Sequence, residues 1–293
     1  MISENQIAKL LAVRVTDPGS VAAGWKQRRR RQLLGPDKNL FLVAADHPAR
    51  GALAVGDEPA AMANRTDLLG RLVTALANPG VDGVLASADI LDDLLMLGSL
   101  ENKLAIGTMN RGGLGGAIWE LDDPMTAYTV EGLTRFGLDG GKMLLRIDDS
   151  DAGSLRTIEA CAEAVEQLGA ASLMALVEPL PYKNGSLDTD EEKQMRAITV
   201  ASGLGSTSAY TWLKLPAVGD VDRMMNATTL PGLILGGAPS ENISDAFESW
   251  KRALAVPHVR GLVIGRSLLY PRSGDVESAI AHAAKIVHPL TQG

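Results

Sequence analysis

Lys214 lies where a charged side chain is least expected, inside the apolar, strand-length run Tyr210-Thr211-Trp212-Leu213-Lys214-Leu215-Pro216. An isolated ammonium is costly in such surroundings, so a lysine there must find a counter-charge, give up its proton, or face a cavity. A neutral amine attacks carbonyl carbon, which is the start of Schiff-base chemistry. The preceding strand-like run, Leu173-Met174-Ala175-Leu176-Val177-Glu178-Pro179, places a carboxylate near its own end. A lysine and a glutamate at matching ends of successive strands point to an enzyme rather than a binding module. Asp46 and Glu178 are the candidate proton carriers, with Tyr182 a weaker third. A purely structural ion pair of Lys214 with Glu178 or Asp46 is the competing reading of the same residues.

Eight short apolar runs must position these groups: Leu40–Ala45, Gly83–Ala86, Leu104–Gly107, Met143–Ile147, Ser172–Val177, Thr211–Leu215, Gly232–Leu235 and Gly261–Ile264. Runs that are apolar throughout are the mark of strands buried on both faces. Amphipathic stretches follow most of them, such as Ser154–Leu168, Asp190–Ser202, Asn242–Ala255 and Val276–Val287. In the first of these Leu155, Ile158, Ala162, Val165 and Leu168 share a helical face. Strict strand–helix alternation predicts a (β/α)8 TIM barrel over residues 38–293, preceded by an N-terminal helical extension over residues 1–37. The extension reads as two helices, the second capped by Ser20 and ending at Gly35-Pro36. A doubly wound sheet is disfavoured because no glycine-rich dinucleotide turn follows the first strand. If Leu213 and Leu215 face the helices, the two-residue strand period turns Lys214 to the barrel axis.

Barrel active sites form where strands end and βα loops begin. The residues there are Asp46 and Arg50, then Asp89, then Arg111. Lys142 opens the fourth strand and Arg146 lies near its end, and Glu178 and Lys214 follow. The last two strands close with Gly236-Gly237-Ala238-Pro239-Ser240 and Gly265-Arg266-Ser267. Small residues let backbone N–H groups approach an anion and Arg266 adds a bidentate charge, so this wall is the expected phosphate site. Ordinary turn glycines are the alternative. Lys142 is expected either to lower the Lys214 pKa by like charge or to bind substrate.

Metal chemistry is not expected. His47, His258, His282 and His288 are scattered, and no metal-ligand spacing occurs. A carboxylate-only Mg²⁺ site at Asp148, Asp149 and Asp151 is conceivable, but such loops more often cap helices. No cofactor is called for. The net charge of −7 argues against nucleic acid and anionic membrane as partners. The run Arg28-Arg29-Arg30-Arg31 is expected on a solvated face or at a subunit contact of a homo-oligomer. The single cysteine, Cys161, and the absence of an apolar leader fit a cytoplasmic protein.

Together these residues resemble the class I (Schiff-base) aldolases of the LacD, DeoC and archaeal-type fructose-bisphosphate aldolase superfamily, above all the tagatose-1,6-bisphosphate aldolase branch. Asp46 with Arg50-Gly51-Ala52-Leu53 is similar to the family's first-strand motif, with His47-Pro48-Ala49 inserted. Lys142 to Asp148 looks like its fourth strand, Glu178 like its fifth-strand glutamate, and Lys214 like its Schiff-base lysine. Gly236-Gly237 and Gly265-Arg266 match its phosphate turns. The likeness spans residues 40–270 and implies cofactor-free retro-aldol cleavage of a phosphorylated ketose or keto-sugar acid. The insertion after Asp46 and the Asn110-Arg111-Gly112-Gly113 loop depart from the family at the substrate end. The chain also resembles actinobacterial barrels associated with inositol breakdown. That likeness implies 2-deoxy-5-keto-gluconate 6-phosphate as substrate, cleaved to dihydroxyacetone phosphate and malonate semialdehyde, with Arg111 or Arg146 on the carboxylate. Other readings on the same scaffold are a phosphosugar isomerase or epimerase using Glu178 as base, and a non-catalytic sugar-phosphate-binding protein.

Overall fold

The computed structural model describes residues 2–217, 219–237 and 243–289. Two helices come first, α1 (Glu4–Thr16) and α2 (Gly19–Gln27). The chain then alternates through β1 (Leu40–Ala45), α3 (Arg65–Ala77), β2 (Gly83–Ala86), α4 (Ala88–Met96), β3 (Leu104–Thr108) and α5 (Val130–Phe136). It continues with β4 (Gly140–Ile147), α6 (Gly153–Ala170), β5 (Met174–Lys183), α7 (Glu191–Ser202), β6 (Thr211–Pro216) and α8 (Val221–Met225). The last elements are β7 (Gly232–Leu235), α9 (Ile243–Leu254), β8 (Val259–Ile264), α10 (Arg266–Leu269) and α11 (Val276–Val287). Each strand β1 to β8 pairs in parallel with its neighbours, and β8 pairs back to β1, so the ring closes as a (β/α)8 barrel. Among the described residues no helix is long and apolar enough to cross a membrane.

The two-residue strand period divides the apolar residues between two cores. Phe41, Val43, Leu213 and Leu215 face the helices. Leu40, Leu42, Leu85, Leu104, Met174 and Leu233 fill the barrel interior, where Leu33, Leu34 and Trp212 pack against them. The strands differ from expectation at two ends. β4 begins at Gly140, because the missing side chains of Gly140 and Gly141 let Met174 and Met109 approach closely. β5 runs on through Pro179 and Pro181, paired in parallel with Leu145 and Ile147 of β4, and folds back onto Ser186–Leu187 as a hairpin. Proline is tolerated there where its missing N–H faces away from the ladder.

In α6 the buried residues are Gly153, Ser154, Thr157, Cys161, Ala164, Val165 and Leu168, while Leu155 is 60% exposed. The buried face is therefore rotated from the expected one. α2 ends at Gln27 and has no side-chain cap; Ser20 instead donates to Asp17 O at 2.9 Å.

The arginine run follows the helix, and it is a solvated face only at Arg29 and Arg30. Arg28 is buried and donates to Lys103 O at 2.6 Å and Gly137 O at 2.8 Å. Arg28 and Arg30 both pair with Asp139, at 3.3 and 2.9 Å, and Arg31 pairs with Asp82. Asp82 also accepts from the Phe41 amide at 2.7 Å and contacts His288 Nε2 at 3.0 Å. Asp82 and Asp139 immediately precede β2 and β4, so this segment clamps the barrel floor, the end opposite the βα loops. Arg29, paired with Glu101 at 2.8 Å, keeps a mostly exposed side chain, and that of Arg30 is about half exposed.

Candidate active site

Four inward-facing side chains meet at the mouth of the barrel. Asp46 closes β1, Lys142 rises from β4, Glu178 from β5 and Lys214 from β6. Lys214 Nζ lies 3.1 Å from Glu178 Oε1, and Lys142 Nζ lies 2.5 Å from Glu178 Oε2. The same Lys142 ammonium reaches Asp46 Oδ2 at 3.2 Å. Arg111 completes the chain from the β3 loop, pairing with the Asp46 carboxylate, donating to Asp46 O at 3.0 Å and to Thr108 Oγ1 at 2.6 Å. All these groups are buried. The order Arg111–Asp46–Lys142–Glu178–Lys214 alternates in charge, which is how buried ions offset their own desolvation.

The electrostatics follow from that alternation. Burial opposes ionisation of Glu178, but the ammonium groups of Lys142 and Lys214 outweigh it and hold the carboxyl down at about 2. Asp46 is likewise lowered, with Lys142, Arg111 and Lys214 overcoming its burial. Burial draws the Lys142 ammonium down to about 8 despite Asp46 and Glu178. Lys142 is thus itself a lysine with a depressed pKa.

A cavity of about 160 Å³ opens above Lys214 and Glu178, with His47, Gly236, Gly237, Gly265 and Arg266 in its wall. Gly237 has φ +63°, a left-handed conformation that glycine adopts without strain. Arg266 forms no ion pair among the described residues, and its Nε is buried without a partner. An arginine so placed has donors to spare for an anion. Leu180 and Leu187 of the β5 hairpin form an apolar lip on the opposite side. Ala238, Pro239 and Ser240, which complete the expected phosphate turn, lie outside the described residues.

Arg50 and Arg146 stand apart from this wall. Arg50 donates to Gly113 O at 2.5 Å and Asn110 O at 2.8 Å and pairs with Asp123 at 2.6 Å. Arg146 pairs with Glu120, donates to Gly113 O at 3.0 Å, and lies over the Tyr182 ring. Both guanidinium groups knit the β3 loop to the barrel, outside the cavity wall. Arg111 is spent on Asp46, so it too holds a carboxylate of the protein. Tyr182 borders a separate depression beside Glu120 and Asp148. Asp89 pairs with Arg65 outside the cavity. Asp148 accepts from the Ser150 amide at 2.9 Å, Asp149 pairs with Arg196 at 2.9 Å, and Asp151 accepts from the Gly153 amide at 2.7 Å. Those three carboxylates serve turns and a surface pair, and among the described residues no group of three metal-ligating side chains converges.

His47 is the cavity residue that sequence reasoning passed over. The sequence presents it as one of four scattered histidines and as part of an insertion, although an Asp-His pair at a strand's C-terminal end was a signal available there.

The family described as Cgl0159-like matches residues 38–284. A crystal structure of Cgl0159 from Corynebacterium glutamicum (Brevibacterium flavum) is 49% identical, superposes with a TM-score of 0.95, and is matched over 98% of both chains. An archaeal fructose 1,6-bisphosphate aldolase superposes with a TM-score of 0.68 at 17% identity, over 92% of this chain and 99% of that one. A fructose-bisphosphate aldolase from Slackia heliotrinireducens gives 0.67 at 11% identity, over 93% and 87%. At such identities these two likenesses establish the barrel fold alone. No curated protein matches the sequence.

Proposed function

The chain belongs to the Cgl0159-like family, and we propose that it is a class I aldolase that cleaves a phosphorylated ketose or keto-sugar acid through an imine on Lys214. The observation that carries this reading is Glu178 bridging two amines, Lys214 at 3.1 Å and Lys142 at 2.5 Å, at the floor of a cavity whose wall holds an Arg266 with no ion pair among the described residues.

Lys214 Nζ, as the free amine, adds to the substrate ketone, and its displaced proton passes to the forming alkoxide to give a carbinolamine. Glu178 is the group within reach to carry that proton, and Lys142 replenishes it. A proton passed from Lys142 through Glu178 to the carbinolamine hydroxyl lets water leave and yields an iminium. A carboxylate then takes the proton of the hydroxyl two carbons from the iminium carbon. The bond between the intervening carbon and the hydroxyl-bearing carbon breaks, the latter leaves as an aldehyde, and the electron pair moves into the iminium to form an enamine. Protonation of the enamine carbon and hydrolysis return the ketone product and the free lysine. Gly237, Gly265 and Arg266 hold the phosphate, and the excess of cationic over acidic side chains at the mouth suits an anionic substrate.

The finer reading is 2-deoxy-5-keto-gluconate 6-phosphate, split to dihydroxyacetone phosphate and malonate semialdehyde. The apolar lip of Leu180 and Leu187 supports it, since it can cover a methylene that bears no hydroxyl. With Arg111 and Arg146 engaged by the protein, a substrate carboxylate has to be met by another donor. The test is borohydride reduction with a panel of ketose and keto-acid phosphates, followed by intact-mass and peptide analysis. A reduced adduct on Lys214 is expected, abolished in Lys214→Met. Turnover that persists in Lys214→Met supports instead an isomerase using Glu178 alone.

A further inference from the structure

We infer that His47 reads a substrate hydroxyl: its Nδ1–H turns to Asp46, and Nε2 accepts a hydrogen bond from a hydroxyl on the carbon beside the imine carbon. This inference rests on the aldolase reading and assigns it a specificity-determining contact.

His47 shares the cavity wall with Lys214, Glu178 and Arg266. Its Nδ1 is buried without a hydrogen-bond partner among the described residues, 3.7 Å from Asp46 Oδ1. That is too long for a hydrogen bond, which ends near ~3.2 Å for nitrogen and oxygen. The carboxylate nevertheless selects the tautomer. An N–H facing it is attracted, whereas a ring lone pair facing it is repelled. Of the two ring nitrogens only Nδ1 is sealed away without a partner, so Nε2 is the nitrogen on the open side.

The ring is also uncharged. Burial foremost, together with Arg266 and Lys214, draws its pKa down to about 4 against the pull of Asp46. A neutral imidazole with its proton on Nδ1 is an acceptor at Nε2. It pairs with an O–H donor and repels the oxygens of a phosphate dianion. The phosphate accordingly belongs to Arg266 and the glycine turns, and the hydroxyl to His47. The scaffold holds the ring still. His47 O accepts from the Arg50 amide at 3.0 Å and the Ala52 amide at 3.2 Å. Arg50 is in turn anchored to Asp123. On the other side, a Cβ at Gly265 would stand 2.9 Å from the His47 Cε1, so only glycine leaves room for the ring.

The experiment compares two ligands in borohydride trapping on Lys214: dihydroxyacetone phosphate, and hydroxyacetone phosphate, in which hydrogen replaces the free hydroxyl of the first. Wild-type protein is expected to need about tenfold less of the hydroxyl ligand for half-maximal adduct, the weight of one net hydrogen bond. In His47→Phe, which keeps a ring beside Gly265, the preference is expected to fall to near unity. His47→Gln, which retains an acceptor, is expected to recover part of it. Protection by inorganic phosphate is expected to stay unchanged in both variants, reporting an intact cradle. Equal half-maximal concentrations in the wild type, or a preference that survives His47→Phe, overturn the inference and leave the aldolase reading standing. A loss of affinity for both ligands and for inorganic phosphate alike assigns His47 to the phosphate and also overturns it. No adduct with either ligand in the wild type overturns the aldolase reading itself, and this inference with it.

Discussion

Lys142 Nζ stands 2.5 Å from Glu178 Oε2, on the side of the carboxylate away from Lys214. Glu178 therefore has a proton donor behind it and an amine in front of it. Burial brings Lys142 to about 8, within reach of neutral pH, so it can give up a proton that Glu178 at about 2 holds only in passing. The expected outcome is an alkaline limb near pH 8 in the rate of adduct formation, as Lys142 loses the proton it supplies. Lys142→Arg, which stays protonated, is expected to remove that limb, as measured by trapping rate across pH 6 to 10.

Glu178→Gln preserves shape but leaves two amines sharing a neutral amide. Adduct formation is expected to slow by about 10²- to 10⁴-fold, the usual weight of a positioned proton carrier. Urea unfolding is expected to report a loss of about 3–5 kcal/mol, because buried ammonium groups lose their counter-charge. A trapping rate equal to wild type would remove Glu178 from the chemistry and leave it a structural ion.

Acid stability tests the same electrostatics from another side. Glu178 is depressed from 4.5 to about 2. Its contribution is full above the unfolded value and is lost as pH falls from 4.5 towards 2. His47 is a base lowered from 6.5 to about 4. Between those values the unfolded chain binds the proton more readily, so stability again falls as pH falls. Urea midpoints are therefore expected to decline from pH 6.5 downward and to steepen below 4.5. His47→Gln is expected to flatten the upper part and Glu178→Gln the lower.

What the sequence made legible was periodic. Alternation around Lys214 turned it inward because Leu213 and Leu215 had somewhere apolar to go, and eight apolar runs closed into the expected ring. What it hid was pairing at a distance. Arg28 is a clamp because Asp139 lies across the floor from it, and Arg50 is scaffold because Asp123 is. Neither partner is announced by spacing along the chain. His47 was hidden for a different reason: a single histidine after a strand carries no period, and its meaning comes from a glycine on the opposite side of the ring closure, at position 265.

The arginine run offers a contrast between adjacent residues of one type. The Arg28 side chain is fully buried, whereas that of Arg29 is 74% exposed beside Glu101. Arg28→Ala strips donors from two carbonyls and a buried carboxylate, and is expected to cost about 3–5 kcal/mol in urea unfolding. Arg29→Ala removes a solvent-screened pair and is expected to cost about 0–1 kcal/mol. Equal effects would mean that the run does not clamp the floor.

Two glycines in the cavity wall are expected to fail differently when given a methyl group. At Gly265 a Cβ would stand 2.6 Å from Ala44 O, a strand carbonyl that cannot move aside cheaply, and 2.9 Å from the His47 ring. Gly265→Ala is expected to cost about 1–3 kcal/mol as overpacking, and to slow adduct formation because the displaced ring no longer faces the substrate. At Gly237 nothing among the described residues lies within 4 Å, but φ is +63°. The strain there is about 1 kcal/mol, and the added methyl enters the space assigned to the phosphate. Gly237→Ala is therefore expected to raise the concentration of ketose phosphate needed for half-maximal adduct while leaving the rate at saturation near wild type. Inorganic phosphate should protect Gly237→Ala less well than the wild type, and a variant that loses rate at saturation without losing phosphate protection would move the phosphate cradle away from Gly237.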